Sequence, residues 1–248
     1  MTGSIRVGVG GWTYEPWRGV FYPEKWSQKR ELEYASSKLT SIEINGTYYS
    51  GFKPESWMKW RDETPDGFVF SVKASRFCTN RKVLADGAES VARFLDQGLT
   101  VLGDKLGPIN WQFMATKKFD RDDFAGFLDL LPDAQDGVPL RHAIEVRDES
   151  FRDPAFIDMV RERNIAIVYA DSDEFPCIDE QTADFTYARL QRSEEDIETG
   201  YDAKALDRWA KQARDWEKGD RDVYIFFISG AKVRNPAAAQ ALIARLKD

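Results

Sequence analysis

Short stretches of alternating apolar and polar residues recur along the chain, separated by longer stretches with helical spacing. Alternation with period two places successive side chains on opposite faces of a strand, whereas apolar residues three and four apart line one face of a helix. Strands are therefore expected at 5–10, 41–45, 68–73, 109–113, 142–147, 165–170, 185–190 and 223–228. Amphipathic helices are expected over 28–38, 54–63, 89–97, 122–131, 154–163, 203–218 and 236–246. Strand and helix taking turns implies parallel βαβ units, and eight strands imply closure into a (β/α)8 TIM-type barrel. Helix signals agree: Ser27 is placed to cap one helix, and Pro154 and Pro236 stand at first helical positions. The sixth β/α unit is expected to be irregular, because the short segment between Asp171 and Ala183 contains Pro176. With no linker-like stretch or fixed-period repeat, residues 1–248 read as one barrel domain.

A doubly wound open sheet is the main alternative. The run GVGGW after the first strand invites a dinucleotide-binding reading, but GxGxxG needs glycine at position 13, where Thr13 stands.

Several strands become polar on one face toward their C-terminal ends. In SIEIN, Ile42 and Ile44 alternate with Glu43 and Asn45; in FVFSVK, Phe70 and Val72 alternate with Ser71 and Lys73; in HAIEVR, Ile144 and Val146 alternate with Glu145 and Arg147. If the apolar faces lie under the helices, Glu43, Asn45, Lys73, Glu145 and Arg147 converge inside the barrel near its top. Gln112, Asp171 and Arg189 join them. That end is where barrel enzymes hold their sites. The same register turns His142 outward, as a structural histidine. The competing reading is a plug: Glu43 with Lys73, and Glu145 with Arg147 or Arg189, as buried ion pairs. Such pairs seldom stabilise better than apolar packing, which favours a functional role.

The segment GWTYEPWRGVFYPEKW and the nearby Tyr48, Tyr49, Phe52 and Trp57 are rich in aromatics. Trp12 and Tyr48, nearest the strand ends, are candidates for stacking on a ligand; the others read equally well as a small core beneath the loops. Arg76, Arg81 and Lys82 follow the third strand, and Arg76 is a candidate for an anionic group, although a solvated charged loop accounts for them too.

Composition narrows the chemistry. A net charge of −7 argues against general nucleic-acid binding. The single histidine, His142, removes multi-histidine metal sites, and no metal or cofactor is expected. No apolar run is long enough for a membrane span, no secretory leader is visible, and two unmotivated cysteines suit a reducing compartment. A soluble, cytoplasmic protein with a small-molecule ligand is the expectation, and its oligomeric state is left open.

GGWTYEPWRGVFYP, SIEINGTYYSGFKPESWMKWRDETPDGFVFSVKA, KLGPINWQF, AIEVRDESF and DFTYARL together resemble the YecE-like family, or domain of unknown function 72, over nearly the whole chain. The resemblance implies a TIM-type barrel and carries no established reaction, substrate or cofactor. Two departures from the family pattern stand out. Gln191 follows Arg189 and Leu190 where a histidine is frequent, and Ile228, Ser229 and Gly230 replace a Phe-Asn-Asn type segment.

The leading functional expectation is a metal-independent hydrolase, lyase or isomerase acting on a polar small molecule such as a sugar derivative. Glu43 and Glu145 would be its acid and base, with Lys73 and Arg147 stabilising negative charge. A variant makes Lys73 a Schiff-base nucleophile. The rival is a non-catalytic barrel that binds a metabolite, a protein or RNA.

Overall fold

A computed structural model describes residues 3–247. The parallel strands are β1 (Ile5–Gly10), β2 (Ser41–Ile44), β3 (Val69–Lys73), β4 (Leu106–Gln112), β5 (His142–Glu145), an interrupted β6 (Ala166–Ile167 and Tyr169–Asp171), β7 (Phe185–Leu190) and β8 (Asp222–Phe227). Seven of them lie in the order β5-β4-β3-β2-β1-β8-β7. The first half of β6 pairs with β5 and the second half with β7. The broken strand thus joins the two ends of the sheet, and the Val168 amide at the break donates to the Ile144 carbonyl at 2.9 Å. A TIM-type barrel results, in which each of the described parallel strands has a neighbour on both sides.

The helices are α1 (Glu31–Lys38), α2 (Pro54–Asp62), a one-turn α3 (Arg76–Thr79), α4 (Ala88–Leu95), α5 (Arg121–Leu128), α6 (Pro154–Glu162), α7 (Ala203–Glu217) and α8 (Asn235–Lys247). The Asp120, Asp153 and Asp202 side chains accept from the first-turn amides of α5, α6 and α7. Ser27 does not cap: a 3-10 turn over Gln28–Arg30 precedes α1, and the serine makes no capping hydrogen bond. Among the described residues no helix lies between Asp171 and Phe185, in keeping with the irregular sixth unit.

Alternation along the strands builds two cores. Val7, Val9, Ile42, Ile44, Phe70, Val72, Trp111, Ile144, Ile225 and Phe227 pack outward beneath the helices. Val69, Ala143, Ala166, Val168, Phe185, Tyr187, Tyr224 and Phe226 form the apolar cluster inside the barrel. Where β1 passes β2 the backbones approach so closely that a Cβ on Gly8 would lie 1.8 Å from the Ser41 carbonyl oxygen. Only glycine permits that register.

His142 points outward, as its register predicts. The Trp111 indole N–H donates to Nδ1 at 3.1 Å, so Nδ1 is the unprotonated nitrogen and Nε2–H donates to the Pro132 carbonyl at 2.8 Å. Burial lowers its pKa from the ordinary 6.5. A base with a lowered folded-state pKa loses stability as pH falls below its unfolded value. Stability should therefore decline below about pH 6.5, by up to about 1.4 kcal/mol per pH unit. Denaturant melts at pH 7.5, 6 and 5 check this, and the slope should largely vanish in His142→Gln.

Candidate functional site

The inward positions nearest the C-terminal strand ends carry most of the polar interior. They are Glu43 on β2, Ser71 and Lys73 on β3, Asn110 and Gln112 on β4, Glu145 on β5, and Tyr187 and Arg189 on β7. Parallel register sets Glu43 beside Ser71, Lys73 beside Asn110, and Gln112 beside Glu145.

Arg189 occupies the centre. Its Nη1 lies 2.6 Å from Glu145 Oε2 and its Nη2 lies 3.1 Å from Glu43 Oε1, with all three side chains 3% exposed or less. Asn110 Nδ2 spans the same carboxylates, at 3.4 Å from Glu43 and 3.3 Å from Glu145. The Tyr187 hydroxyl donates to Glu43 Oε2 at 2.5 Å. Beneath it, Ser71 Oγ lies 2.7 Å from the Tyr187 hydroxyl and donates to the Pro108 carbonyl.

Two further cations sit toward the mouth. Arg147 donates to Glu145 Oε1 at 3.1 Å and stacks 4.2 Å above the Phe175 ring, which the irregular sixth loop supplies. Lys73 holds its ammonium 4.5 Å over the Tyr48 ring. Among the described residues it has no carboxylate partner within salt-bridge distance. Arg147, Arg189 and Lys73 thus face only two carboxylates, and Lys73 is the surplus charge.

Titration follows from this arrangement. Burial alone would raise the Glu145 carboxyl, but the charges of Arg189, then Arg147 and Lys73, outweigh it and hold it at about 2. Burial pushes Lys73 down to about 8, helped by the like charge of Arg189 and opposed by Glu43 and Glu145. Several buried polar atoms at this end have no hydrogen-bond partner among the described residues: Asn110 Oδ1, Gln112 Nε2, Arg189 Nε, Asn45 Oδ1 and Gln191 Nε2. Orphaned buried groups are rare and costly to keep.

Of the residues singled out from the sequence, Glu43, Glu145, Lys73, Arg147, Arg189 and Gln112 gather here, with Tyr48 beneath the lysine. Trp12 and Asn45 line an adjoining cavity instead. Asp171 opens onto a separate cleft and lies 3.3 Å from Arg192. Arg76 is exposed and rests against Tyr49 and Phe77. Asn110, Ser71, Tyr187 and Phe175 were not foreseen as site residues. The period-two rule that selects Gln112 and Arg189 would also have selected Asn110 and Tyr187, two residues earlier on the same faces.

The family model described as "Protein of unknown function DUF72" matches residues 6–248. The chain belongs to this family. Among DUF72-related sequences, it is 25% identical over 159 residues to the UPF0759 protein YunF of Bacillus subtilis, covering 62% of this chain and 54% of YunF. It is 28% identical over 142 residues to the UPF0759 protein YecE of Escherichia coli K12, covering 56% of this chain and 48% of YecE. The chain therefore spans about half the length of the curated relatives it matches. The crystal structure of a DUF72 family protein from Thermotoga maritima superimposes with a TM-score of 0.75 over 98% of each chain, at 23% identity. At that identity the likeness is one of fold. No helix among the described residues is long and apolar enough to cross a membrane.

Proposed function

We propose that this barrel is an enzyme for a polar, anionic small molecule bearing a carbonyl group, with Lys73 as the reacting amine. The observation that carries this reading is the surplus cation: Lys73 stands at the mouth with no carboxylate within salt-bridge distance among the described residues, and its pKa is pushed down to about 8. An amine titrating there supplies free base near neutral pH, as a Schiff-base lysine requires. Its free-base nitrogen would add to the substrate carbonyl and, with one proton taken up from solvent, water would leave and a protonated imine would remain. Arg147, partly exposed, would bind the substrate's anionic group, and Gln112 Nε2 would donate a further hydrogen bond. Glu43, Arg189 and Glu145 would form the charged floor that sets the amine's titration.

Hydrolysis between two flanking carboxylates fits this geometry less well. The Arg189 guanidinium lies between Glu43 and Glu145, where a glycosidic bond would have to sit, and Glu145 is held too firmly ionised to act as an acid. The non-catalytic alternative, a metabolite-binding barrel, would use Arg147, Lys73 and Gln112 for the same anion. A reducing, cytoplasmic setting suits the two free cysteines, Cys78 and Cys177.

Borohydride trapping tests the reading. The protein is incubated with a panel of 2-oxo acids, aldehydes and phosphorylated ketones, reduced, and mapped by mass spectrometry. A reduced adduct concentrated on Lys73 is expected. Labelling spread over surface lysines, with Lys73 untouched across the panel, would sink the proposal.

A further inference from the structure

Beside the charged centre, at the ends of β1 and β2, lies a cavity of about 380 Å³ that the carbonyl chemistry does not use. Trp12, Phe52, Trp60 and Tyr49 form its walls, and the backbone of Gly10, Gly11 and Gly46 also lines it. Trp12 and Trp60 meet edge to face at 5.2 Å and 77°, and Phe52 meets Trp60 at 4.9 Å and 69°. An edge-to-face contact occupies only one face of the ring it meets, so a planar guest can still stack on aromatic rings that line the space.

The walls are anchored. The Tyr22 hydroxyl donates to the Trp12 carbonyl at 2.5 Å, and the Trp17 indole N–H donates to the Lys232 carbonyl at 2.8 Å. Trp17 and Tyr22 are themselves buried, at 1% exposure each. The aromatic loop after β1 thus divides its labour. Trp17, Phe21 and Tyr22 form the small core, which holds Trp12 and Lys232 over the cavity.

Besides the exposed hydroxyls of Thr13 and Tyr49, two polar side chains line this space, Asn45 and Lys232. Asn45 Oδ1 is buried and accepts no hydrogen bond from any of the described residues. Lys232 stands at the rim, 4.2 Å over the Tyr14 ring, with no carboxylate within salt-bridge distance among the described residues. Burial lowers its pKa. An apolar slot with one unmet acceptor inside and one unmet cation at its edge has a defined complement.

We propose that this cavity is a second binding site, for a flat aromatic ring that carries a hydrogen-bond donor toward Asn45 and an acidic group toward Lys232. The site also abuts the charged centre. Tyr49 lines the cavity, its ring lies 5.1 Å from that of Tyr48, and the Lys73 ammonium rests 4.5 Å from Tyr48. The reading of Lys73 as the reacting group is needed only for the further step, that one ligand spans both sites.

Calorimetric titration of the full chain at pH 7 and low salt, with 4-hydroxybenzoate as probe, tests the site. Binding is expected, weakened by about tenfold or more in Lys232→Met and in Trp12→Leu. Asn45→Ala should weaken 4-hydroxybenzoate more than benzoate. Lys73→Met should change the affinity by less than about twofold, because the ring site does not use that amine. Lys232→Met alters a partly exposed rim residue, and an unchanged melting temperature certifies its fold. No binding of the probe at about 10 mM would overturn the proposal. So would affinity lost in Lys73→Met but kept in Lys232→Met, which would place the acid on Lys73 instead. Preference for methyl glucoside over 4-hydroxybenzoate would overturn the aromatic class. Borohydride trapping fails or succeeds independently of all these outcomes.

Discussion

Replacing Arg189 by methionine is expected to lower the melting temperature by about 6–20 °C at pH 7. Methionine fills part of the space but leaves Glu43 and Glu145 facing each other, buried, without the cation that lies between them. Removing one partner of a buried ion pair costs about 3–5 kcal/mol, because the remaining charge keeps its desolvation penalty. For a chain of this size each kcal/mol is worth about 2–4 °C. The same logic gives the sign of a rescue: adding Glu43→Gln and Glu145→Gln to the methionine variant should recover stability, since like charges no longer oppose each other. Thermal melts of the single and triple variants measure both effects. If Arg189→Met melts with the parent, the buried carboxylate–guanidinium–carboxylate triad does not form. Glu145 adds an acid limb. With a folded-state pKa near 2 against an ordinary 4.5, its contribution is complete above about pH 4.5 and is lost as pH falls toward 2. That limb sets in near pH 4.5, below the onset near pH 6.5 assigned to His142, so the two onsets separate along a pH series.

Lys73→Met should act in the opposite direction. The melting temperature is expected to stay level or rise at pH 7, while the trapped adduct disappears. Lys73 is the third cation over two carboxylates, so its removal leaves Arg147 and Arg189 balanced against Glu43 and Glu145. The sign follows from linkage. The amine's pKa is about 8 in the fold against an ordinary 10.5, so its charge opposes folding. That opposition is complete below about pH 8 and fades as pH rises toward 10.5. The stability gained in Lys73→Met should therefore shrink between pH 8 and pH 10. Competitive acylation of the parent at pH 8 reads the same titration directly. An amine of pKa 8 is half unprotonated there, on the order of a hundredfold more than an ordinary lysine. A Lys73 that labels no faster than surface lysines, together with a destabilised Lys73→Met, would return this residue to a structural role. A stability gain paired with lost chemistry is the signature of a group retained for function.

The alternation in SIEIN, FVFSVK and HAIEVR was enough to turn Glu43, Lys73 and Glu145 inward and His142 outward. The reason is that side-chain direction in a strand depends only on residue parity. Pairing within the interior was not legible. Arg189 lies 146 residues from Glu43 in sequence, and which guanidinium meets which carboxylate depends on the stagger of strands around the closed barrel. The plug and the site, weighed as alternatives on the sequence, meet in one arrangement: Glu43, Arg189 and Glu145 are sealed, whereas Lys73 and Arg147 remain at the mouth. Aromatic density marked the loop after β1 without separating its members. Trp12 and Trp17 have the same chemistry, and only packing buries Trp17 and leaves Trp12 facing a cavity.

Local spacing, then, determined the barrel, its strand order along the chain, the face each strand turns inward and the polar end where a site would lie, because these depend on short-range periodicity. Tertiary structure alone decided that β6 breaks at Val168 to close the sheet, that Phe175 from a helix-free loop reaches Arg147, that Arg76 and Asp171 face elsewhere, and that Lys73, of the three cations at the charged centre, has no carboxylate within salt-bridge distance among the described residues. Each of these rests on contacts between residues far apart in the chain, whose geometry is set by closure of the whole barrel.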